Sequence, residues 1–325
     1  MMKLSLPLIS ALSIAACFSG VAQAQSAYPA KSVRLIVPFP AGGATDIMAR
    51  MLGDKLTQRL GQQFVVDNRG GANGNIGMDL AAKSPPDGYT LVLTVVGTWA
   101  VNPNLYKQLP FDVVKDFAPI MQVSSSPGVL VVHPSMPIKN VKQLIALAKA
   151  QPGKLDYGSA GVGGFGHISG AIFELMTGTH LVHIPYKGAG PAQIDLLAGQ
   201  IHILFNDAIS TIPYLRSGRM RGLAVTTMKR MPALAEMPTM DEAGVKGYDN
   251  ATWMAIAAPT GTPKEIVGRL NSELNAILKL PDIQEKAAGA GAVLVGGTPE
   301  QFSEYLKLEL AKFARVVRDA KITVQ

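Results

Sequence analysis

Two glycine-rich turns could bind an anion through main-chain amides, without any reactive side chain. The first turn, PFPAGGATD at 38–46, follows the apolar run Val33–Val37 and precedes a segment with helical periodicity. A helix start leaves N–H groups unpaired and carries about half a positive charge. Because Gly42 and Gly43 lack side chains, a ligand could approach these amides closely. The alternative is a tight turn that needs glycine only for its dihedral angles.

The second turn, YGSAGVGGFGHISG at 157–170, occupies the matching place in the second half of the chain. It again follows a strand-like run and precedes a helix-like segment. Ligands of open α/β sheets lie beyond the carboxyl ends of strands, against helix starts. Two such turns facing one cleft favour anion binding over a purely structural role, and each could hold one carboxylate.

Motifs for catalysis, nucleotide binding and metal binding are incomplete in this sequence. The second turn contains G-x-G-x-x-G, but the acid of a dinucleotide site is missing from its expected place about 20 residues later. Neither turn continues into the G-K-[ST] of a P-loop. Tyr157 stands where a nucleophile elbow around Ser159 needs glycine. His180 and His183 lack accompanying carboxylates and are interpreted as ordinary strand histidines. We expect no enzyme activity, no cofactor and no metal site.

The elements that must position these turns alternate between strand and helix patterns, and the order appears twice. This alternation predicts an α/β fold of two lobes, each with a mainly parallel sheet flanked by helices. The expected strands of the two halves are 33–37, 63–67, 90–95 and 154–159, 180–185, 202–207, and the clearest helices are 45–60 and 167–176.

Two apolar segments are interpreted as crossovers between the lobes. The first is IMQVSSSPGVLVVHP at 120–134, in which Ser124–Gly128 interrupts two apolar runs, and the second is TWMAIAAP at 252–259. Amphipathic helices over 263–278 and 299–317 are expected to return to the first lobe. The resulting prediction is a first lobe of 28–126 plus 252–325, a second lobe of 127–251, and a ligand cleft between them.

The N-terminus has the pattern of an export signal. Lys3 precedes an apolar run, and Ala22-Gln23-Ala24 forms a cleavage site, so residues 1–24 are predicted to be a cleaved signal peptide. The run is shorter than the roughly 20 apolar residues of a membrane anchor. Ile14-Ala15-Ala16-Cys17 also resembles a lipoprotein cleavage box, so lipid anchoring at Cys17 is the alternative. Cys17 is the only cysteine, which excludes disulfides from the processed chain.

Composition excludes two further classes of protein. Hydrophobic residues make up 48% of the chain and charged residues 16%, which argues against disorder. Removing the signal with Lys3 lowers the net charge from +7 to +6. The basic residues are scattered rather than clustered, so we expect no nucleic-acid partner. A mildly positive field would help to collect anions.

Eight blocks, in order and with similar spacing, resemble the Bug family of extracytoplasmic solute-binding proteins, and they cover nearly all of the processed chain. The resemblance implies a two-lobed periplasmic-binding-protein fold that closes on a small organic carboxylate and serves the membrane subunits of a tripartite tricarboxylate transporter. We expect a periplasmic monomer. The blocks are PFPAGGATD, VVDNRGGANGNIG, DGYTL, YGSAGVGGFGH, VHIPYKGAGPAQIDLLAGQI, RGLAVTT, MPTMDEAG and APTGTP.

The resemblance implies ligand-binding residues at matching positions. In the family, the loop after the first strand and the glycine-rich loop of the second lobe hold a carboxylate. The first loop corresponds here to Phe39, Ala41, Gly42, Gly43 and Asp46, and the second to Ser159, Ala160, Gly161, Gly163, Gly164 and His167. Strand ends add three candidates for the distal part of the ligand, Thr98, Asn206 and Asp207.

Three positions near the turns need a separate interpretation. Asp46 has an alternative role, because an acid in the first helical turn stabilises the helix and would repel a carboxylate. Thr45 is the expected N-cap. Phe165 departs from the small polar residue common in the family, which would favour a ligand with an apolar or aromatic body.

Alternative functions stay open at this level. The chain could be a sensing module whose closed form docks on a membrane receptor, or an exported enzyme acting on a small anion. Dicarboxylates, acidic amino acids and aromatic acids are all compatible with a main-chain grip, because such a grip recognises only the carboxylate.

Overall fold

A single curled sheet of ten strands, flanked by ten α-helices, makes up the fold of the residues that the computed structural model describes, 28–289 and 291–323. The strands are β1 Val33–Val37, β2 Phe64–Asn68, β3 Thr90–Val95, β4 Phe117–Val132, β5 Asp156–Ser159, β6 Val182–Pro185, β7 Ile203–Asp207, β8 Arg221–Val225, β9 Ala251–Pro259 and β10 Val293–Gly296. The helices are α1 Ala44–Leu60, α2 Asn75–Ala82, α3 Asn102–Leu105, α4 Val141–Ala150, α5 Phe165–Thr177, α6 Ala189–Leu197, α7 Ala208–Arg216, α8 Lys264–Leu278, α9 Pro281–Gly289 and α10 Pro299–Asp319.

Strand β4 joins the two lobes of the sheet. From Phe117 to Pro127 it pairs with β9, and from Gly128 to Val132 it pairs with β7. The first lobe has the order β2-β1-β3-β9-β4, with β10 on the free side of β4. The second has β4-β7-β5-β6, with β8 also on β4. The periplasmic-binding-protein fold implied by the resemblance is thereby confirmed.

Strand direction explains why each lobe is mixed rather than purely parallel. β1 is parallel to β2 and β3, and β5 is parallel to β6 and β7. The carboxyl ends of these strands point to the space between the lobes. β9 enters the first lobe from that space and is therefore antiparallel to β3. β4 enters the second lobe from the same space and is antiparallel to β7.

The predicted elements near the turns are confirmed with small shifts of their ends. α1 begins one residue before the expected start and buries Met48, Leu52 and Leu56. The segment interpreted as the first crossover is part of β4, which continues through Ser124–Gly128 as one strand of 16 residues. The backbone N–H of Gly128 donates to Thr226 Oγ1 at 2.9 Å, which supports the strand at the change of partners.

The amphipathic helix expected over 299–317 is α10, which buries Phe302, Leu306, Phe313 and Val317 and packs against β4. The predicted signal peptide 1–24 and Cys17 lie outside the described residues. Over the described ranges, no helix combines the length and the apolar character needed to cross a bilayer.

Candidate ligand-binding site

A small cavity lies where the two lobes meet, at the carboxyl ends of the parallel strands. Its volume is about 140 Å³. Both lobes and both crossover strands contribute to its wall. The lining residues are Ala44, Thr45, Val95, Ser126, Ala160, Phe165, Gly166, Ala189, Phe205, Asn206, Asp207, Thr252 and Met254.

The helices α1 and α5 both begin at this cavity, and neither start is capped by a side chain. Their N-caps are Gly43 and Gly164, each with extended backbone. Side chains cap α4 (Asn140), α7 (Asp207) and α10 (Thr298), whereas α6, which also begins at the cavity, has no side-chain cap. A helix start without a cap leaves its first amides free for an anion.

The first residues of these two helices line the cavity from opposite lobes. Ala44 and Thr45 belong to α1, and Phe165 and Gly166 belong to α5. The expectation that Thr45 is the N-cap is wrong, because the helix begins at Ala44 and its N-cap is Gly43, two residues before Thr45.

Asp46 supports the first loop from beneath. Its carboxylate Oδ2 accepts the Gly42 N–H at 2.9 Å and the Arg50 Nε–H at 3.0 Å. Asn68 extends this network, accepting from Arg50 at 3.3 Å and donating to the Phe39 carbonyl at 3.0 Å. The loop is therefore held in shape before any ligand arrives.

The environment of Asp46 favours a role other than the predicted contact with the ligand. The residue is 3% exposed, and the hydrogen bond from Arg50 is the main reason why the pKa of its carboxyl is lowered. It carries a negative charge that is already paired. Its place in the molecule fits the alternative role, support of the loop, better than a contact with a carboxylate.

The second loop is braced by two histidines. Ser159 Oγ lies 2.6 Å from His183 Nε2 and accepts the Gly161 N–H at 3.1 Å. His167 Nδ1 accepts the Gly163 N–H at 3.0 Å, so its proton is on Nε2. The amides of these two glycines are thus used within the loop, and the helix start of α5 remains the anion-binding feature.

The rings of His167 and His183 stack face to face behind the loop. Their centroids are 3.8 Å apart and their planes differ by 6°. Burial lowers the pKa of His167 to about 4. Burial, together with the neighbouring His167, lowers the pKa of His183 to about 3. Both rings are therefore neutral at neutral pH, which lets them stack without repulsion.

Acid should destabilise the folded protein, because His167 and His183 bind protons more readily in the unfolded chain than in the folded stack. An unfolded histidine titrates near 6.5, so the free energy of unfolding should fall as the pH decreases from about 6.5 towards 4. Allowing for partial exposure, we expect a loss of about 1–3 kcal/mol over this range. Urea unfolding at several pH values would measure it.

His183→Gln should flatten this pH dependence, and His180→Gln is the matched control. The His180 side chain is 73% exposed and lies outside the stack. An equal pH dependence in the His183 variant and in the unmodified protein would contradict the assignment.

The contact between Ser159 and His183 is part of the structure of the loop. The Ser159 hydroxyl also donates to the Gly161 carbonyl at 3.0 Å, and the residue is 1% exposed. Both histidines line a separate cavity of about 470 Å³ on the far side of the loop, next to residues 319–323. The expected ligand contact of His167 is therefore not favoured, and the two rings shape the loop from behind.

Phe165 spans from the start of α5 to the crossover strand. It lines the cavity, and its ring occupies the space beside Gly128 that a Cβ atom would need. The departure noted in the sequence thus places an aromatic wall directly at the site. Gly128 is required because the ring and the strand approach so closely.

Gly128→Ala should push the Phe165 ring into the cavity. Overpacking of this kind destabilises by about 1–3 kcal/mol, and we expect a loss of affinity of about tenfold for any carboxylate that the protein binds. Calorimetric titration would measure the affinity. The double variant Gly128→Ala/Phe165→Leu should recover binding, and an unchanged affinity in the single variant would contradict the placement of the ring.

The remaining candidates divide between the cavity and the structure behind it. Asn206 and Asp207 line the cavity, with Asn206 donating to Ser210 Oγ at 2.9 Å and Asp207 capping α7. Thr98 is 0% exposed and accepts from Thr94 at 3.1 Å, so it lies behind the first loop. The predicted contact of Thr98 with a ligand is not favoured by this position.

Only some of the predicted ligand-binding residues line the cavity. Ala160, Asn206 and Asp207 line it directly, while the glycines of both loops form the turns that bring the helix starts to it. The backbone of Gly163, with φ at +77°, also contacts the first lobe, since a Cβ there would meet Leu105 Cδ2 at 2.5 Å.

Sequence reasoning missed the crossover residues Ser126, Thr252 and Met254 and the start of α6 at Ala189. The KGAG turn before α6 was a usable signal for Ala189. No signal in the sequence marked the crossover residues, because serine, threonine and methionine there fit an ordinary strand. Within the described part of the chain, no group of three or more His, Cys, Asp or Glu could hold a metal ion.

The sequence and the fold of this chain are similar to those of known proteins. The family model for the tripartite tricarboxylate transporter family receptor matches residues 48–322. The chain belongs to this receptor family. Proteins of the family are periplasmic solute-binding receptors, and the Bug resemblance is confirmed.

Three solved structures of similar proteins extend the comparison. Rpa4515 of R. palustris with adipate is 39% identical, with a TM-score of 0.85 over 91% of this chain and 99% of that one. The periplasmic binding protein BugD is 35% identical, with a TM-score of 0.82 over 92% and 100%. MatC from Rhodopseudomonas palustris with bound malate is 27% identical, with a TM-score of 0.81 over 89% and 100%.

Proposed function

We propose that this receptor captures a small organic carboxylate between its lobes and presents the closed form to the membrane subunits of a tripartite tricarboxylate transporter. The observation that carries the proposal is the pair of uncapped helix starts, those of α1 and α5, at one cavity. Each offers free amides and a partial positive charge to an anion. No bond of the ligand is made or broken.

Closure follows from the way in which the lobes are joined. We place one lobe at 28–126 plus 252–325 and the other at 127–251, because β4 changes partners between Pro127 and Gly128. A ligand that touches both helix starts stabilises the closed arrangement, since only there does it contact both lobes. The transporter then distinguishes closed from open receptor. Export through a signal peptide at 1–24 would bring the protein to the periplasm as a monomer.

Relatives support the class of ligand. Rpa4515 is described with adipate and MatC with bound malate, and both are small carboxylates. The present cavity has an aromatic wall, Phe165, and the ligand of this chain need not be either of those acids.

A thermal-shift screen against small carboxylates, with their amides as controls, tests the proposal. A ligand at 100 times its Kd stabilises the folded state by about 2.7 kcal/mol, which is readily detected. We expect one or more acids to raise the Tm and their amides to have no effect. Stabilisation by uncharged molecules but by none of the acids would contradict a carboxylate receptor.

A further inference from the structure

An apolar groove of about 500 Å³ runs along α1 in the first lobe. One wall is the face of α1 that carries Ile47, Met48 and Met51, and the other is the face of α9 that carries Ile283 and Ala287. Its floor is formed by the crossover strands. No motif in the sequence predicted it, because α1 and α9 are more than 200 residues apart in the chain.

The groove adjoins the ligand cavity. Ala44, Ser126 and Met254 line both spaces. Ala44 is the first residue of α1, the same helix start that is proposed to hold a carboxylate. A ligand fixed there by its carboxylate can therefore extend directly from the cavity into the groove.

The walls suit an apolar chain. Met48, Ile283 and Ala287 are buried, while the side chain of Ile47 is 60% exposed on the groove. An exposed isoleucine loses contact with water when an apolar group covers it, which is favourable. Methionine side chains adapt their shape easily, so Met48 and Met51 can follow a flexible chain.

Charged residues line the end of the groove that is far from the cavity. Lys55 Nζ lies 2.7 Å from Asp282 Oδ2, and Asp54 and Lys286 also line this end. Lys55 is eleven positions after Ala44, so the groove extends about 16 Å along the helix. The Lys55–Asp282 pair bridges α1 and α9, which closes the apolar section.

We infer that the groove holds the apolar tail of the ligand, so that the preferred class is a monocarboxylate with an extended, unbranched alkyl chain. This inference rests on the proposed function, because the carboxylate must be held at the helix starts. The cavity of about 140 Å³ holds the head of such an acid, and the groove holds the rest.

A chain-length series tests the inference directly. Affinities for butanoate, hexanoate, octanoate and decanoate would be measured by calorimetric titration of the whole protein. Burying one methylene in an apolar site should tighten binding about threefold to fourfold. We expect affinity to rise steadily from butanoate to decanoate.

Ile47→Gln is the variant, and Leu308→Gln is its matched control. Both are exposed apolar residues on helices, at 60% and 70%, and Leu308 lies on α10, away from the groove. The Ile47 variant should weaken decanoate about fivefold while leaving butanoate within twofold. The control should change neither.

The outcomes separate this inference from the proposed function. Equal affinities along the series, or affinities that fall with length, would overturn the groove assignment while short acids still bind. A rising series that Ile47→Gln does not alter would also overturn it. Failure of all acids together with the dicarboxylates adipate and malate would contradict the carboxylate function itself, and the groove assignment with it.

Discussion

Gly43→Val should reduce the affinity for the carboxylate ligand by at least about a hundredfold while leaving the fold intact. Gly43 caps α1 with extended backbone, φ −79°, so valine needs no unusual dihedral angle. A Cβ there would have Pro40 O as its nearest atom, at 3.7 Å, which is an ordinary contact. The branched side chain would stand over the amides that the anion needs, and hydrogen bonds to charged groups are worth about 1.5–3 kcal/mol each.

Calorimetric titration and thermal unfolding of the same preparations would measure both effects. Gly268→Val is the matched control, because Gly268 lies exposed in α8 with open space around it. The Gly43 variant should bind no ligand in the range where the control binds normally, and its stability without ligand should change by no more than about 1 kcal/mol. Normal binding by the Gly43 variant would show that the start of α1 is not the anion site.

Trp253→Ala should have the largest effect on stability. Trp253 is 1% exposed on the crossover strand β9 and contacts the rings of Phe302 and Tyr305 in α10. Its Nε1–H donates to Glu309 Oε2 at 2.8 Å. Removing a buried tryptophan of this kind costs about 3–5 kcal/mol, and the buried Glu309 also loses a donor. Urea unfolding would measure the change.

Trp253→Phe separates packing from hydrogen bonding at this position. It keeps an aromatic ring and removes the N–H, so we expect a loss of about 1–3 kcal/mol, less than for alanine. Equal losses in the two variants would show that the ring contributes little. Thr252 and Met254, its neighbours in β9, line the cavity, so weaker ligand binding should accompany the alanine variant.

Local patterns in the sequence were enough for the parts of the site that consist of backbone. The glycines of PFPAGGATD and YGSAGVGGFGH predicted two turns that lead into helices, and α1 and α5 begin there. β3 has the expected ends, Thr90–Val95, because an uninterrupted buried run leaves little choice of register. These features depend on dihedral preferences and on burial, which neighbouring residues determine.

Side-chain roles were harder to predict because they depend on neighbours that are distant in the chain. His183 was interpreted as an ordinary strand histidine, yet the pairing of β5 with β6 places it against Ser159 and His167. This arrangement leaves no signature in local composition. Asp46 differs, because its partners Gly42 and Arg50 each lie four residues away and only Asn68 joins the network from another strand.

Three features could be predicted from the sequence alone: the α/β class, the two glycine turns that lead into helices, and the family resemblance. They follow from the spacing of apolar residues, from turn chemistry and from the order of motifs, which are properties of short segments. Three features became visible only in the folded protein: β4 passes unbroken between the lobes, two neutral histidines brace a loop, and an apolar groove shares lining residues with the cavity. The physical reason is that these features arise from packing between segments far apart in the chain, where strand register and helix contacts determine which side chains meet.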